Sequence, residues 1–244
     1  MTKKILNLKI ERLPYDQLNL VSLNLPILKK PLVDLRQKMP PVYDQGELGS
    51  CTANALCALM EYIDHIKGSR LFLYYNERKI ENDIPDDAGA TLSDGIKCLV
   101  KYGICSETSW SYDQTKFTLK PPITCYNEAL KYKALIVKNI LQDMTHMKTL
   151  LVENNPFVVG IAVYESFMSD EVAKTGYVPM PSYDEICEGG HAVLCVGYDD
   201  KKRVWIMRNS WSDLWGDKGY FYLPYEYLLD SSLSSDLWTI SKAT

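Results

Sequence analysis

The spacing of apolar residues changes once along this chain, at Pro156. Upstream, apolar residues recur every three or four positions, which predicts helices over about 51–66, 69–81, 93–103, 125–134 and 145–153. Downstream, short runs rich in β-forming residues predict strands at 157–164, 191–198, 204–209 and 219–223. Helices in one half and strands in the other indicate an α+β fold with two lobes and a cleft between them.

Small polar residues and a glycine predict where the helices begin and end. Ser50 can cap the first helix, and Gly68 can end it. Ser93 and Thr145 can cap the third and fifth helices. We therefore expect helix boundaries at these four positions.

Residues 1–31 differ from the rest of the chain. Leucines there alternate with polar residues, and prolines at positions 14, 26 and 31 interrupt the pattern, which favours short extended segments. We expect an N-terminal arm or short pro-segment over 1–31, followed by one domain over 32–244. That domain would contain a helical lobe over about 45–135 and a β-rich lobe over about 136–225.

The charge and hydropathy of the chain exclude several partners. Twenty-seven Lys and Arg residues against 31 Asp and Glu give a net charge of −4 with no basic face, so we expect no nucleic-acid partner. No apolar stretch approaches the roughly twenty residues that span a bilayer, so we expect no membrane partner. The N-terminus lacks the apolar core of a signal peptide, which favours an intracellular or virion-associated protein. We expect a monomer.

One of the seven cysteines has the position of a nucleophile. Cys51 follows Gly49-Ser50 at the first turn of the predicted helix, where the helix dipole and free backbone N–H groups lower a thiol pKa. Cys57, Cys98 and Cys195 are interpreted as small buried side chains. There is no CxxC pair and there are only three histidines, so we expect no metal and no cofactor.

Three further polar residues could complete a site around Cys51. His191 follows two glycines and opens a buried strand, whereas His65 and His146 are interpreted as surface histidines. The Asn209 amide oxygen could orient the imidazole, as the third group of a triad does. Gln45 and the Cys51 backbone N–H could form an oxyanion hole.

Three motifs in this order resemble the papain-like cysteine peptidases (papain/cathepsin family): QGELGSC, GGHAVLCVGY and NSWSDLWGDKGY. The resemblance covers roughly 32–225 and is closest to the short, stand-alone forms of bacteria and large DNA viruses. It implies a papain-like two-lobed fold, with a helical left lobe, an antiparallel β-barrel-like right lobe and the active site in the cleft between them. It also implies a thiol protease, and the absence of a histidine-bearing loop favours an endopeptidase.

The resemblance assigns roles to the four residues. Cys51 is implied as a thiolate nucleophile that forms a thioester acyl-enzyme, paired at rest with a His191 imidazolium that acts as acid and base. Asn209 is implied to orient His191, and Gln45 to stabilise the oxyanion. Protein or peptide substrates are implied, bound by Gly89, Ala90, Thr91, Leu92, Gly160, Gly190, Ala192 and Trp211.

Within this set, Thr91, Leu92, Gly160 and Ala192 are implied to line the specificity pocket. Because these residues are small or apolar, we expect the substrate to carry a bulky aliphatic or aromatic residue one position before the cleaved one. The sequence does not decide whether an acid at the pocket floor would admit Arg. Leu48 stands where the family pattern has a disulfide cysteine, which favours reduced thiols.

Several alternatives stay open at this point. The arm could pack along the body as an extra strand, or it could lie in the cleft and block it until cleaved. Acyl transfer to an amine, as in transglutaminases, also uses Cys and His, although its orienting residue is typically Asp. A silent papain-like binding protein is a third possibility, although such proteins usually lose the Cys or the His.

Overall fold

In the computed structural model, which describes residues 4–9 and 30–243, a group of helices is followed by one mixed-length antiparallel sheet. The helices are α1 Cys51–Asp64, α2 Arg70–Glu81, α3 Leu92–Lys101, α4 Ile123–Ala129, α5 Met144–Val152, α6 Asp170–Thr175 and α7 Tyr225–Leu229. The strands are β1 Leu32–Asp34, β2 Ala134–Asn139, β3 Phe157–Tyr164, β4 Cys187–Asp199, β5 Val204–Arg208, β6 Tyr220–Pro224 and β7 Ser234–Ala243. The predicted α+β class and the two groups of elements are confirmed.

The sheet has the strand order β2-β7-β3-β4-β5-β6, and β1 pairs with β4 outside that path. All pairs are antiparallel, and the longest register joins β3 to β4 from Phe157↔Cys195 to Tyr164↔Cys187. Strands β3 and β4 are buried over most of their length, which explains why they are continuous apolar runs rather than alternating ones.

Helix α1 lies in the middle of the molecule. Its residues from Cys51 to Met60 are all buried, which is the pattern of a helix surrounded by protein on every side. It packs against α2 and α3 on one side and against β3, β4 and β7 on the other. The N-terminus of α1 therefore lies at the junction of the helices with the sheet.

Of the three predicted N-caps, Ser50 is confirmed in position only, and the other two are wrong. Ser50 occupies the N-cap position of α1, but its hydroxyl is shared with Tyr112 and Asn54 and makes no capping bond. The caps of α3 and α5 are Thr91 and Asp143, each two residues before the predicted Ser93 and Thr145. Both caps have extended backbone angles and accept an N–H three residues ahead, which is the geometry that defines an N-cap.

The end of α1 is also earlier than expected. The helix stops at His65, whose φ of 57° is left-handed, rather than at Gly68. The prediction of a helix to 134 is wrong as well, because α4 ends at Ala129 and Ala134 begins β2. Strand β7 extends the sheet well past residue 225, where the β-rich lobe was expected to end.

Part of the arm is described. Residues 4–9 are extended and hydrogen bond to two other segments, as reported below. The prolines at 14 and 26 and the leucines between them lie outside the described residues.

Candidate active site

The nucleophile candidate begins the central helix. Cys51 is the first residue of α1 and is completely buried. The loop before it is fixed because both carboxylate oxygens of Asp87 accept the Gly49 N–H, at 3.0 and 2.9 Å. The Tyr74 hydroxyl donates to the same carboxylate at 2.5 Å. These bonds hold the turn that delivers Cys51 to the helix N-terminus.

His191 lies on β4, the strand that packs against α1. Its Nε2 is 2.8 Å from Asn209 Oδ1, while Nδ1 has no hydrogen-bond partner among the described residues. An amide oxygen can only accept, so Nε2 carries the proton and Nδ1 of the neutral ring is a free acceptor. The next residue, Ala192, directs its backbone N–H toward the Cys51 sulfur. The expected Cys51, His191 and Asn209 are therefore brought together.

Asn209 is fixed through both its backbone and its side chain. Its N–H donates to the Gly219 carbonyl at 2.9 Å, and its Oδ1 also accepts the Ser210 N–H at 2.8 Å. The Trp211 ring stacks on the His191 ring with centroids 4.7 Å apart and 26° between the planes. Trp211 thus covers the face of the imidazole and keeps water from the His191–Asn209 bond.

Gln45 is buried and held at both ends of its amide. Its Oε1 accepts the Ser210 hydroxyl at 2.6 Å, and its Nε2 donates to the Leu48 carbonyl at 3.0 Å. Its backbone N–H donates to the Ser210 carbonyl at 2.9 Å. Among the described residues the second Nε2 proton has no partner, so the amide keeps one donor available, as the expected oxyanion role requires.

Burial sets the protonation of the pair in this state. It lowers the His191 pKa to about 4, against the Asn209 bond, which raises it, and with the Lys4 charge, which lowers it further. Burial also raises the Cys51 pKa to about 12, although the Ala192 N–H acts in the opposite direction. The described state therefore favours a thiol and a neutral imidazole rather than the expected thiolate and imidazolium.

A stretch of the chain itself lies in the cleft next to His191. Residues 4–9, which we name the cleft segment, pair with both walls of the cleft. The Leu8 N–H donates to the Gly190 carbonyl at 3.1 Å on the sheet side, and the Lys9 N–H donates to the Ala90 carbonyl at 3.0 Å on the helical side. The Asn7 side chain donates to the Asp87 carbonyl at 2.7 Å. The segment thus bridges the two lobes directly beside His191.

The cleft segment fits the walls closely. A Cβ at Gly89, where φ is +73°, would lie 1.5 Å from the Asn7 carbonyl oxygen. A Cβ at Gly160 would lie 2.7 Å from Leu8 Cδ2, and Leu8 is buried in the main hydrophobic core. Only glycine leaves room for the segment backbone at position 89, and a side chain at position 160 would require the Leu8 side chain to shift. The methyl group of Ala90 leaves its carbonyl free to bind a peptide N–H, here that of Lys9.

Charged residues hold both ends of the cleft segment. The Lys9 ammonium forms ion pairs with Glu81 and Asp83 at the end of α2 and just beyond it. At the other end, Lys4 Nζ lies 5.9 Å from the centre of the Trp211 ring. The segment is therefore anchored beyond the residues that pair with the walls.

The remaining predicted groove residues lie around this segment. Thr91 caps α3 and its N–H donates to Glu81 Oε1 at 3.0 Å, while Leu92 is fully buried at the start of that helix. Gly190 and Ala192 flank His191 on β4. The role of these residues in binding substrate stays a prediction.

Two supporting residues were missed by the sequence analysis. Ser210 holds Gln45, and Asp87 holds the turn before Cys51. The NSW motif contains Ser210 and offered a local signal, whereas Asp87 lies in a polar loop that looks like any solvated turn. Its partners are 38 and 13 residues away along the chain, so no local pattern reveals them.

Residues 4–9 and 30–243 contain neither a cluster of metal-binding side chains nor a membrane-spanning helix. In that part of the chain, no three His, Cys, Asp or Glu side chains are grouped so that they could hold a metal ion. No helix described there combines the length and the apolar character needed to cross a membrane.

Three comparisons relate the chain to known proteins. A family model described as papain family cysteine protease matches residues 30–231. An uncharacterized peptidase C1-like protein of Acanthamoeba polyphaga mimivirus is 45% identical over 87% of this chain and 73% of the relative. Cysteine proteinase 3 of Entamoeba histolytica is 29% identical over 78% of this chain and 61% of the relative. Xylellain, a cysteine protease from Xylella fastidiosa, matches in structure with a TM-score of 0.88 and 38% identity, over 96% of this chain and 95% of its own.

Proposed function

Since the chain belongs to the papain family of cysteine proteases, we propose that it is an endopeptidase whose Cys51 thiol attacks the peptide bond. The chain is thus a hydrolase, a thiol protease of the papain and cathepsin type, that acts on peptides. One observation carries the assignment of residues: His191 is held through Nε2 by Asn209 while Nδ1 has no partner among the described residues, and the N–H of the adjacent Ala192 is directed at the Cys51 sulfur.

The proposed reaction uses four groups of this chain. The Cys51 thiol transfers its proton to His191 Nδ1, and the thiolate attacks the substrate carbonyl carbon. Gln45 Nε2 and the Cys51 N–H donate to the resulting oxyanion. The intermediate collapses when His191 gives the proton to the leaving amine, which leaves a thioester on Cys51. Water, deprotonated by His191, then hydrolyses the thioester.

The endopeptidase mode is supported by the positions of the other histidines. His65 ends α1, and His146 lies in the first turn of α5. Neither forms a hydrogen bond or ring contact with a described residue of the cleft, so neither is placed to capture a substrate terminus. We expect peptides blocked at both ends to be cleaved.

The proposed specificity follows from the side chain that now fills the pocket. Leu8 is buried against Gly160, one of the predicted pocket residues. An apolar site of this shape favours a substrate leucine or a comparable aliphatic or aromatic residue, one position before the cleaved one. The binding roles of Gly89, Ala90 and Gly190 are supported by their contacts with Asn7, Lys9 and Leu8, respectively.

The cleft segment supports the blocking role of the arm rather than the extra-strand alternative. Its carbonyl oxygens at Leu6, Asn7 and Leu8 pack on Gly189, Gly89 and Gly190, respectively. None accepts a hydrogen bond from Gln45, so no described peptide bond of the segment is held in the oxyanion hole. The proposed arm therefore inhibits by filling the groove without being cut there.

The setting of the protein belongs to the same proposal. All seven cysteines are free, six of them buried, which suits a reducing intracellular compartment or a virion. The viral relative is in keeping with that location. We propose a monomer that meets protein or peptide substrates and binds neither nucleic acid nor membrane.

Hydrolysis of a doubly blocked fluorogenic peptide with an internal leucine tests the proposal. The full-length chain should hydrolyse it, and Cys51→Ala should abolish the activity. Asn209→Ala should reduce kcat while the chain stays folded, because the His191 ring loses its orientation. Transfer to an added amine in place of hydrolysis would indicate the acyl-transfer alternative. Binding without turnover would indicate the silent one.

A further inference from the structure

A buried carboxyl lies behind the nucleophile. Glu77 is on α2 and is completely buried. Its Oε2 accepts the hydroxyl proton of Thr52 at 2.8 Å, and Thr52 directly follows Cys51 in the first turn of α1. The mechanism proposed above does not use this carboxyl, although one hydrogen bond and one peptide link separate it from the nucleophile.

The rest of the carboxyl is enclosed by apolar or backbone atoms. Glu77 Oε1 has no hydrogen-bond partner among the described residues. A Cβ at Gly95 on α3 would lie 2.5 Å from this oxygen and 2.2 Å from Leu56 Cδ1. Helix α3 thus approaches the carboxyl so closely that only glycine fits. A carboxylate with one partner in such a site is strongly disfavoured relative to the acid.

The neighbouring cation does not neutralise Glu77. The guanidinium of Arg78, the next residue on α2, donates to the carbonyls of Ile84, Asp86 and Phe117 and forms no ion pair with Glu77. Arg78 therefore acts on the Glu77 carboxyl only through electrostatic attraction and not through an ion pair.

The other charges around Glu77 act mostly in one direction. Burial is the largest cause that raises its pKa, to about 8, and the carboxylates of Glu81 on α2 and Asp94 on α3 add to it. The Thr52 bond and Arg78 lower the pKa. In addition to these charged residues, three thiols interact with Glu77. They belong to Cys51 and Cys57 on α1 and to Cys98 on α3.

We propose that Glu77 is a positioning residue for the nucleophile: as a neutral acid it holds Thr52, and when it ionises it suppresses formation of the Cys51 thiolate. The inference rests on the proposed function of Cys51. Its physical basis is that a negative charge behind the helix N-terminus opposes the helix dipole, which otherwise favours the thiolate. Glu77 therefore limits the reactivity of Cys51 on the alkaline side.

The test is the rate of alkylation of Cys51 by iodoacetamide between pH 6.5 and 9.5, followed by peptide mapping, in the full-length chain carrying Leu8→Asp, which removes the cover over Cys51. Every variant is built on this background, whose own rate serves as the wild-type reference. Glu77→Gln keeps an acceptor for Thr52 and carries no charge at any pH. We expect its rate constant to match the wild type at pH 6.5 and to exceed it by about tenfold at pH 9.5, the effect of one pKa unit on thiolate formation. A ratio that is constant across this range would overturn the proposal.

Two controls separate charge from structure. Glu128→Gln removes an acid on helix α4 that accepts the Ser106 N–H. Its alkylation rate should follow the wild-type pH profile. Thr52→Val removes the hydroxyl through which Glu77 holds the first turn of α1, so we expect slower alkylation at every pH. A Thr52→Val rate equal to the wild type would overturn the positioning role.

An infrared measurement keeps the inference testable if Cys51 proves unreactive. The carboxylic acid C=O band of Glu77 should be present at pH 6.5, disappear by pH 9.5 and be missing from Glu77→Gln at both pH values. Its absence from the wild type at pH 6.5 would overturn the proposal. An unreactive Cys51 would count against the proposed function and would leave this spectroscopic result standing.

Discussion

The Gln45 side chain has one proton committed and one available. Its Oε1 is fixed by Ser210 and one Nε2 proton by Leu48, so the remaining proton has a defined direction. A donor that needs no reorientation when the oxyanion forms stabilises the transition state without cost in reorganisation. If Gln45 donates to the oxyanion as proposed, its contribution is a transition-state effect, visible in kcat rather than in KM.

Truncation of this side chain should test that role. We expect Gln45→Ala to lower kcat by about 100- to 1,000-fold in peptide hydrolysis, because one oxyanion donor is lost. Ser210→Ala is the matched control, since it removes the bond that holds Gln45 but keeps the donor, and it should lose much less. Equal losses in the two variants would mean that the Gln45 network is structural.

The protonation of His191 depends on the cover above it. Burial lowers its pKa to about 4, and the cleft segment contributes Lys4 to that environment. A base whose pKa is lowered in the closed state binds fewer protons than it does when exposed, at an ordinary value of about 6.5. Acid between those two values therefore favours the open cleft, by at most about 1.4 kcal/mol per pH unit.

Histidine ring NMR on the full-length chain should follow this shift. We expect a His191 pKa near 4 in the wild type and a rise toward 6.5 in Leu8→Asp, because a buried carboxylate expels the segment from the pocket. His191→Gln identifies the signal among the three histidines. The same His191 pKa in both chains would show that the segment does not control its solvation.

At the scale of elements, the cleft segment combines an apolar anchor with an ionic one. Burial of Leu8 is worth roughly 1.5–3 kcal/mol. The ion pairs of Lys9 involve a side chain that is 35% exposed, and pairs of that kind contribute about 0–1 kcal/mol each. The apolar anchor should therefore dominate the closed state.

The relative size of the two anchors gives a prediction for activity. Leu8→Asp should raise peptide hydrolysis by the full-length chain by about tenfold or more, and Lys9→Ala by less than tenfold and only at low salt. Ile123→Asp is the control, because it places the same charge on an exposed apolar residue of α4. A larger effect from Lys9→Ala than from Leu8→Asp would contradict this order.

The elements that the sequence analysis predicted correctly are those with a strong local period. Helix α1 and strands β3 and β4 each have an apolar pattern that burial explains. Strands β2 and β7 were missed because they pair with each other across about a hundred residues, and β7 begins with the polar run Ser234-Ser235-Asp236. Tertiary pairing, rather than propensity, makes them strands.

The residues of the site also divide into those that local sequence patterns could predict and those that depend on tertiary contacts. Cys51, His191, Asn209 and Gln45 lie in motifs whose order and residue types point to the chemistry, so they could be predicted. Glu77 could not, because an acid next to Arg78 on a helix resembles an ordinary surface pair until α3 is seen to cover it. The path of the cleft segment depends on contacts with Gly190 and Ala90, which lie far along the chain.

At the scale of the whole molecule, the fold is held by packing without covalent cross-links among its cysteines. All seven thiols are free, and Cys187 on β4 is the exposed one. The buried thiols lie on both sides of the cleft, where burial raises the pKa of Cys57 on α1 and of Cys195 on β4. Their burial and their raised pKa values make these thiols poor nucleophiles in the folded state.

Thiol titration should reflect this distribution. We expect one fast-reacting thiol per native chain, Cys187, and seven after denaturation without reductant. In Leu8→Asp, Cys51 should react as a second native thiol, because the cover over it is removed. Fewer than seven thiols in denaturant would mean that the chain forms a disulfide and does not depend on a reducing compartment.

The most direct test of the account is the intact mass of the full-length chain after reaction with an epoxysuccinyl inhibitor. We predict one adduct per chain, formed slowly in the wild type, quickly in Leu8→Asp and not at all in Cys51→Ala. That result would establish Cys51 as the activated nucleophile and the cleft segment as its cover. An adduct that persists in Cys51→Ala, or no adduct in Leu8→Asp, would contradict the account.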